Sequence, residues 1–240
     1  MSGEELRLAG ITPLENDYEY YNGAPVANAS GAVDVSVFAE EQAQKKKSSN
    51  KNTKAKQNTT AEKLHSDWQF VLEAESKIKQ NKVKCDPNIS KNFFVQVEDS
   101  AKRLNCKPED LAAIIYRESH FDPRAKQGEY TGLIQMNKTA FDSIPDRKCT
   151  YSQYCRLPRE KQLKYAEKYL KMRIEEKGLK GKKLTGGQLY TLVWRPNDIN
   201  KPQIVTQAQK KVNESKQIPT KLKQKLGASE SKGKKLNVKT

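Results

Sequence analysis

A carboxylate stands in this 240-residue chain where a helical pattern predicts an apolar side chain. In the segment CKPEDLAAIIYRES, one helix face holds Leu111, Ile114 and Ile115, and the next position of that face holds Glu118. A carboxyl group among apolar side chains is poorly solvated as an anion, so its pKa should rise. Glu118 is therefore a candidate general acid. The alternative is that Glu118 ends the helix and turns its carboxylate into water or into an ion pair.

The helix that would position Glu118 has a well-specified start. Pro108 lies at its beginning, where the missing amide hydrogen of proline costs little. Glu109 and Asp110 follow in the first turn, where acidic side chains complement the helix dipole. The sequence thus predicts a helix that begins near Pro108 and carries Glu118 in its last turn.

Two segments around this glutamate resemble the motifs of a known family. The residues Glu-Ser-His-Phe-Asp-Pro at 118–123 and Gly-Leu-Ile-Gln-Met at 132–136 are similar to the two main motifs of soluble lytic transglycosylases and goose-type lysozymes, which are family 23 glycoside hydrolases. The resemblance covers residues 88–205 and implies a mainly α, lysozyme-like fold. It also implies that Glu118 is the sole catalytic acid/base and that Ser119 lies near the bound sugar.

The second motif supplies further candidate substrate-binding residues. Gly132 has no side chain, so the backbone or the substrate can approach closely there. Gln135 offers a donor and an acceptor for acetamido and hydroxyl groups, and Met136 completes the predicted substrate-binding set. Without the motif, Gly132 would be interpreted as a turn glycine and Gln135 as a surface amide.

A third region matches the family less specifically. Thr-Gly-Gly-Gln at 185–188 fits a capping box that opens a helix. The segment Leu-Tyr-Thr-Leu-Val-Trp-Arg-Pro at 189–196 then departs from the usual Ala-Tyr-Asn followed by glycine, and resembles the lysozyme-like domains of phage tails and contact-dependent secretion systems. The resemblance implies that Tyr190 hydrogen-bonds the catalytic glutamate. The alternative is that Tyr190 is a half-buried core aromatic.

A retaining or inverting hydrolase would normally contain a second carboxylate. The near candidates are Asp122 and Glu129, and Asp122 precedes Pro123, which is typical of a turn. The family implies instead that one carboxylate protonates the bridge oxygen and then takes a proton from the C6 hydroxyl of the muramoyl residue, which gives a 1,6-anhydro product. Hydrolysis by water, as in a lysozyme, stays open.

Apolar spacing and charge divide the chain into four parts. We expect a disordered acidic-then-basic arm and linker at residues 1–60, an amphipathic helix and connector at 61–87, the lysozyme-like transglycosylase domain at 88–205 and a lysine-rich flexible tail at 206–240.

Helical spacing is carried by two series of residues: Leu64, Trp68, Leu72, Glu75 and Ile78, and then Phe93, Val97, Ala101 and Leu104. A further helix is predicted after Pro158, ending before Gly178. We recognise no pair of strands with a two-residue turn signal.

The net charge of +16 invites a polyanionic partner. Residues 1–44 carry a net charge of −7, residues 45–60 hold six lysines and no acid, and residues 208–240 carry a net charge of +8 without an aromatic side chain. Without interleaved aromatics there is no base-stacking platform, so we expect no specific nucleic-acid partner. The lysine-rich tail could instead hold the anionic cell wall.

The sequence predicts neither a transmembrane segment nor a secretory signal. It contains no run of 18 apolar residues, and its start, MSGEELRLAG, has acids where a signal would need basic residues before an apolar stretch. The expected substrate lies outside the cytoplasm, at the bacterial cell wall. We therefore expect delivery by a phage particle, a secretion apparatus or lysis, with the N-terminal arm docking a phage or secretion-machine component.

Four cysteines, Cys85, Cys106, Cys149 and Cys155, lie inside the predicted folded part. Pairing Cys85 with Cys106 and Cys149 with Cys155 would close the shortest loops, and free buried thiols are the alternative. Zinc binding is disfavoured because no CxxC pair occurs and neither histidine lies at ligand spacing from the cysteines. We expect no metal and no cofactor.

These features together predict a peptidoglycan-degrading enzyme of the lytic transglycosylase type, with peptidoglycan glycan strands as its binding partner. It would cleave the β-1,4 bond between N-acetylmuramic acid and N-acetylglucosamine. The alternatives are a hydrolytic lysozyme with the same acid, and a non-catalytic lysozyme-like structural or wall-binding component of a phage or secretion machine.

Overall fold

A computed structural model of the chain describes residues 51–78 and 88–236. Of residues 51–59, 77–78 and 227–236 it describes the backbone alone. The first fifty residues, with most of the predicted N-terminal arm, and Cys85 lie outside the described residues.

The described part of the chain is mainly helical, which confirms the predicted fold class. Its α-helices, in chain order, are α1 (Lys51–Ile78), α2 (Lys91–Arg103), α3 (Pro108–Ser119), α4 (Lys138–Asp142), α5 (Tyr151–Tyr154), α6 (Arg159–Glu176), α7 (Gly186–Trp194) and α8 (Pro202–Leu236). A short antiparallel hairpin, β1 (Lys126–Gln127) and β2 (Tyr130–Thr131), lies between α3 and α4, and a 3₁₀ turn (Pro196–Asp198) lies between α7 and α8. None of the described helices contains an apolar stretch long enough to cross a membrane.

The ends of the helices follow the local signals in the sequence. Pro108 lies in the first turn of α3, together with Glu109 and Asp110. Thr185 caps α7 through the predicted capping box, since its hydroxyl accepts from the amide of Gln188 while the Gln188 side chain accepts from the amide of Thr185. Short-range patterns were thus sufficient to place the beginning of both helices that carry the candidate site.

Aromatic side chains from α1, α2 and α3 form the core behind the candidate site. Phe93 and Phe94 of α2 contact Phe121, which directly follows α3. Trp68 of α1 stacks on Tyr116 of α3 with ring centroids 4.5 Å apart. All five rings are buried, and burying such side chains is worth about 2 kcal/mol each. The amphipathic helix α1 therefore packs on the domain and helps to fix α3.

Helix α1 begins earlier than expected. The sequence predicts a solvated linker at residues 45–60 and a helix from residue 61, whereas the helix begins at Lys51. The residues added at its N-terminus include lysine, alanine and glutamine, which have high helix propensity. Once residues 61–76 are packed, extending the helix needs no new nucleation, so an apolar face is not required there.

Helix α8 corrects the expected flexible tail at residues 206–240. Residues 202–236 are helical, and the buried side chains include Ala208, Val212, Ser215 and Leu222. These residues recur at intervals of four, three and seven, which is one face of a helix. The surrounding lysines dominate the composition of this segment and conceal its narrow apolar stripe.

A close approach fixes α8 against the N-terminus of α7. The amide of Gly187 donates to Gln209 Oε1 at 2.7 Å. A side chain at Gly187 would bring its Cβ within 2.6 Å of the Val205 carbonyl oxygen, so only glycine fits. Lys216 of α8 also pairs with the buried carboxylate of Asp110 in α3 at 2.6 Å. Helix α8 is thus joined to both helices of the candidate site.

The small hairpin was not recognised in the sequence. Its strands have two residues each, joined through Gly128 and Glu129, and Gly128 has a positive φ of 58°. Two-residue strands are too short to show the alternation of apolar and polar residues that reveals longer ones.

Three cysteines are free thiols in the described part of the chain: Cys106, Cys149 and Cys155. The possible Cys149–Cys155 disulfide is therefore not present, and Cys149 Sγ instead contacts Tyr165 Oη at 3.2 Å. Burial raises the pKa of the Cys106 thiol to about 12, so this thiol stays protonated and unreactive at neutral pH.

The packing of α8 predicts the effect of a small deletion in its stripe. Val212→Ala removes two buried methyl groups and should lower the free energy of unfolding by about 2 kcal/mol, measured by urea denaturation. The matched control is Gln217→Ala, at an exposed position of the same helix, which should change it by less than about 0.5 kcal/mol. Equal stability of the Val212→Ala variant and the wild type would show that this helix does not pack on the domain.

Candidate active site

Glu118 lies in the last turn of α3, directly before a sharp change in chain direction. His120 and Phe121 follow with positive φ angles of 51° and 61°. Two successive non-glycine residues in the left-handed region are costly, at about 1–2 kcal/mol each. The amide of His120 still donates to Tyr116 O at 2.7 Å, and Phe121 is buried in the aromatic core. The core thus holds the end of α3 in place and leaves Glu118 half-buried at this end.

Glu118 is held by a tyrosine from α7. Tyr190 Oη donates a hydrogen bond to Glu118 Oε1 at 2.7 Å across 72 residues of sequence. Burial raises the pKa of Tyr190, and the neighbouring carboxylate raises it further. The tyrosine therefore remains protonated, so it can act as the donor in this pair.

Opposing influences act on the Glu118 carboxyl. Burial raises its pKa, because the charged form is poorly solvated. The hydrogen bond from Tyr190 and the positive charges of Arg117 and Lys211 favour the ionised form and oppose that rise. Burial prevails, and the pKa of Glu118 lies above that of an ordinary glutamate. Such a carboxyl can hold a proton at a pH where exposed carboxyls have lost theirs.

An exposed tryptophan and two cations lie beside this pair. Trp194, one turn after Tyr190 in α7, stacks on it with ring centroids 6.1 Å apart and remains 36% exposed. Lys211 of α8 places its ammonium 4.6 Å from the centre of the Trp194 ring. The Lys211 carbonyl oxygen accepts from Arg117 Nη1 at 3.4 Å. Contacts thus run from Glu118 through Tyr190 and Trp194 to Lys211, and from there to Arg117, the neighbour of Glu118.

The structure corrects the expected role of Ser119. This side chain is 0% exposed, and its hydroxyl lies 3.0 Å from Ile115 O and 3.1 Å from Leu133 O. A serine late in a helix readily bonds the carbonyl four residues back, and here it also reaches the second motif. Ser119 therefore joins the two motif segments and does not face the sugar.

Gln135 and Met136, the other predicted substrate-binding residues, are engaged within the protein. Gln135 Nε2 donates to Ala125 O at 3.1 Å and to Gly132 O at 2.9 Å, and its Oε1 is buried. Met136 is 2% exposed, and its backbone pairs with Thr131. The amide is used to close its own loop, and the thioether fills the core. Met136 is therefore closed off from a sugar, whereas Gln135 is half-buried with its amide nitrogen already engaged in its own loop.

A residue that sequence reasoning did not single out holds the second motif in place. Gln162 of α6 is fully buried; its Oε1 accepts from Leu133 N at 3.1 Å and its Nε2 donates to Pro123 O at 2.8 Å. Gly132 has a φ of 84°, and a Cβ there would lie 2.4 Å from Gln162 Oε1. The sequence does contain a signal for this role. Gln162 lies four residues before the buried Ala166, so a polar side chain occupies the buried face of α6.

A second cluster anchors the opposite side of α3. Tyr116 Oη donates to Glu75 Oε1 of α1 at 2.5 Å, and His120 Nε2 lies 3.9 Å from the same oxygen. All three side chains are buried. The helical pattern included Glu75 but gave no reason for a carboxylate there; the structure shows that it joins α1 to the end of α3.

Two other carboxylates considered as partners of Glu118 serve the local chain. Asp122 Oδ1 accepts from the amide of Arg124 at 2.8 Å, which closes a turn. Glu129 lies in the hairpin turn, where Oε1 accepts from Asn137 Nδ2 at 3.4 Å. Within residues 51–78 and 88–236, no group of three or more histidine, cysteine, aspartate or glutamate side chains is arranged to hold a metal ion.

Comparison with protein families agrees with this arrangement. Residues 96–185 match the family model described as the transglycosylase SLT domain. The match begins inside α2, includes Glu118 and both motif segments, and ends at the residue that caps α7. Comparisons with curated proteins and with solved structures give no match. The segment around Glu118, residues 96–185, is therefore similar to the transglycosylase SLT family.

Proposed function

We propose that this protein cleaves the β-1,4 bond between N-acetylmuramic acid and N-acetylglucosamine in peptidoglycan, as a lytic transglycosylase with Glu118 as its general acid/base. The family match supports a muralytic, glycan-cleaving function in general. The observation that carries the specific proposal is the Glu118 carboxyl, whose pKa burial raises and which Tyr190 holds at 2.7 Å.

In the first step, Glu118 gives its proton to the oxygen of the glycosidic bond. The bond to C1 of the muramoyl residue then breaks, the N-acetylglucosamine part leaves as an alcohol, and positive charge develops on the muramoyl ring. A carboxyl with a raised pKa suits this step because it is still protonated when the substrate arrives. Glu118 is then a carboxylate.

In the second step, the Glu118 carboxylate takes the proton of the C6 hydroxyl of the same muramoyl residue. The C6 oxygen forms a bond to C1, which closes the 1,6-anhydro ring and returns Glu118 to its protonated form. No water is consumed, and the proton count balances over the two steps. Tyr190, Arg117 and Lys211 stabilise the carboxylate between the steps, because each favours the ionised form.

A single carboxylate is sufficient for this route, whereas hydrolysis would normally need a second one. Asp122 and Glu129, the two candidates near the motif, are engaged in a turn and in a hairpin. This engagement favours the transglycosylase over the hydrolytic lysozyme.

We further propose that the protein acts at the bacterial cell wall, where peptidoglycan lies. The family match supports a peptidoglycan substrate in general. Docking of the N-terminal arm to a phage or secretion-machine component stays a prediction, since residues 1–50 lie outside the described part of the chain.

Replacing the proposed acid should remove activity and leave the fold intact. With Glu118→Gln, release of soluble muropeptides from purified peptidoglycan should fall by at least about 100-fold, because the amide cannot donate the proton. Mass spectrometry of the wild-type products should show 1,6-anhydro ends. The control is Glu129→Gln, which should keep most of the activity. Equal release by the Glu118→Gln variant and the wild type would refute the proposed acid, and reducing ends from the wild type would identify a lysozyme.

Removing the tyrosine hydroxyl should change the pH profile in a defined direction. The Tyr190 hydrogen bond lowers the pKa of Glu118, so Tyr190→Phe should raise that pKa. A general acid loses activity as the pH rises through its pKa, so the fall of kcat/KM at high pH should move upward by about one pH unit. We expect kcat to fall as well, because the carboxylate formed in the first step is less stabilised. An unchanged profile, or the same shift in the control Tyr169→Phe, would contradict the role of Tyr190.

A further inference from the structure

Two cations, Lys211 and Arg195, lie over the exposed ring of Trp194, and a third, Arg117, contacts the backbone of Lys211; the three differ in their partners. Arg195 pairs with Asp198 at 2.6 Å, and Arg117 lies 4.0 Å from Glu214. In the described part of the chain, no carboxylate lies within 4.0 Å of the Lys211 ammonium, whose neighbour is the Trp194 ring at 4.6 Å. Among the described residues, Lys211 is thus the one of these three cations whose charge is not met by an ion pair.

The surroundings of the Lys211 ammonium disfavour its charged form. Partial burial and the nearby Arg117 both lower the pKa of its ammonium, and the negative charges of Glu118 and Glu214 oppose them. In the proposed mechanism Glu118 is protonated when the substrate binds, so the larger of these two compensating charges is absent at that moment. An incoming anion would supply it.

The proposed substrate carries such an anion. Peptidoglycan strands bear carboxylates on the lactyl group of N-acetylmuramic acid or on the peptide stem attached to it, whereas a strand of N-acetylglucosamine alone bears none. Resting on the function proposed above, we propose that Lys211 and Trp194 form a subsite that binds a carboxylate of the muramoyl residue or of its peptide stem beside Glu118. The ring of Trp194 offers an apolar surface for the sugar or stem, and the ammonium pairs with the carboxylate.

This subsite is built outside the segment that matches the family. The match ends at residue 185, whereas Trp194 lies at the end of α7 and Lys211 in α8. Val212, the residue after Lys211, is buried, and the carbonyl of Lys211 accepts from Arg117. The backbone that carries Lys211 is therefore joined to α3, the helix of Glu118.

The test measures binding of oligosaccharides to the full-length Glu118→Gln protein, which prevents turnover. The ligands are a stem-bearing muropeptide tetrasaccharide, the same tetrasaccharide with its stems removed, and chito-tetraose, which has no carboxylate. Lys211→Met is compared with Lys210→Met, which removes the same charge from the adjacent exposed position. Thermal denaturation of each variant checks the fold, and Lys211→Arg checks whether a positive charge restores binding.

We expect Lys211→Met to weaken binding of a carboxylate-bearing ligand by on the order of ten-fold and to reduce the salt dependence of that binding. Loss with the stem-bearing ligand alone assigns the carboxylate to the stem, and loss with the stem-free ligand assigns it to the lactyl group. Chito-tetraose binding should be unchanged, Lys210→Met should behave as the wild type, and Lys211→Arg should restore most of the affinity.

Unchanged binding of both carboxylate-bearing ligands in Lys211→Met would overturn the subsite. An equal loss for chito-tetraose would also overturn it, because Lys211 would then act on the shape of the site and not on a carboxylate. The outcome is separate from that of the product analysis: if Glu118→Gln retains full activity while Lys211→Met loses carboxylate binding, the catalytic proposal fails and the subsite stands.

Discussion

The hydrogen bond between Tyr190 and Glu118 is the interaction on which the rest of the site depends. It joins the last turn of α3 to the middle of α7 at 2.7 Å and fixes the direction of a half-buried carboxyl. Burial alone would favour a permanently neutral group, whereas the tyrosine and the nearby cations make the ionised form accessible. A group that must first give and then take a proton needs both influences. Their balance is set by how α3, α7 and α8 pack, and not by the glutamate itself.

Helix α8 completes this packing although it lies beyond the segment that matches the family. It approaches α7 closely because Gly187 has no side chain to meet the Val205 carbonyl, and it pairs with α3 through Lys216 and Asp110. The same helix carries Lys211, whose charge acts on Glu118. The electrostatic environment of the acid is therefore partly supplied by a segment whose composition resembles that of a solvated tail.

The features that local interactions control can be predicted from the sequence, and those that distant contacts control cannot. The position of Glu118 follows from helical spacing within one segment, and the start of its helix from a proline and two acids. The orientations of Ser119 and Met136 depend on backbone groups from another segment, so a motif gives their type but not the direction in which they point. Gln162 acts on a loop 29 residues away. The stripe on α8 has meaning only once α7 is in place.

The most direct test of this account is the titration of the Glu118 carboxyl itself. Carbon-13 NMR of glutamate-labelled full-length protein would follow the side-chain carboxyl signals with pH, and the signal missing from the Glu118→Gln variant would identify Glu118. The account predicts that Glu118 titrates above the ordinary value for glutamate, which is about 4.3. A pKa at or below that value would show that burial does not control this carboxyl, and would contradict its assignment as the proton donor.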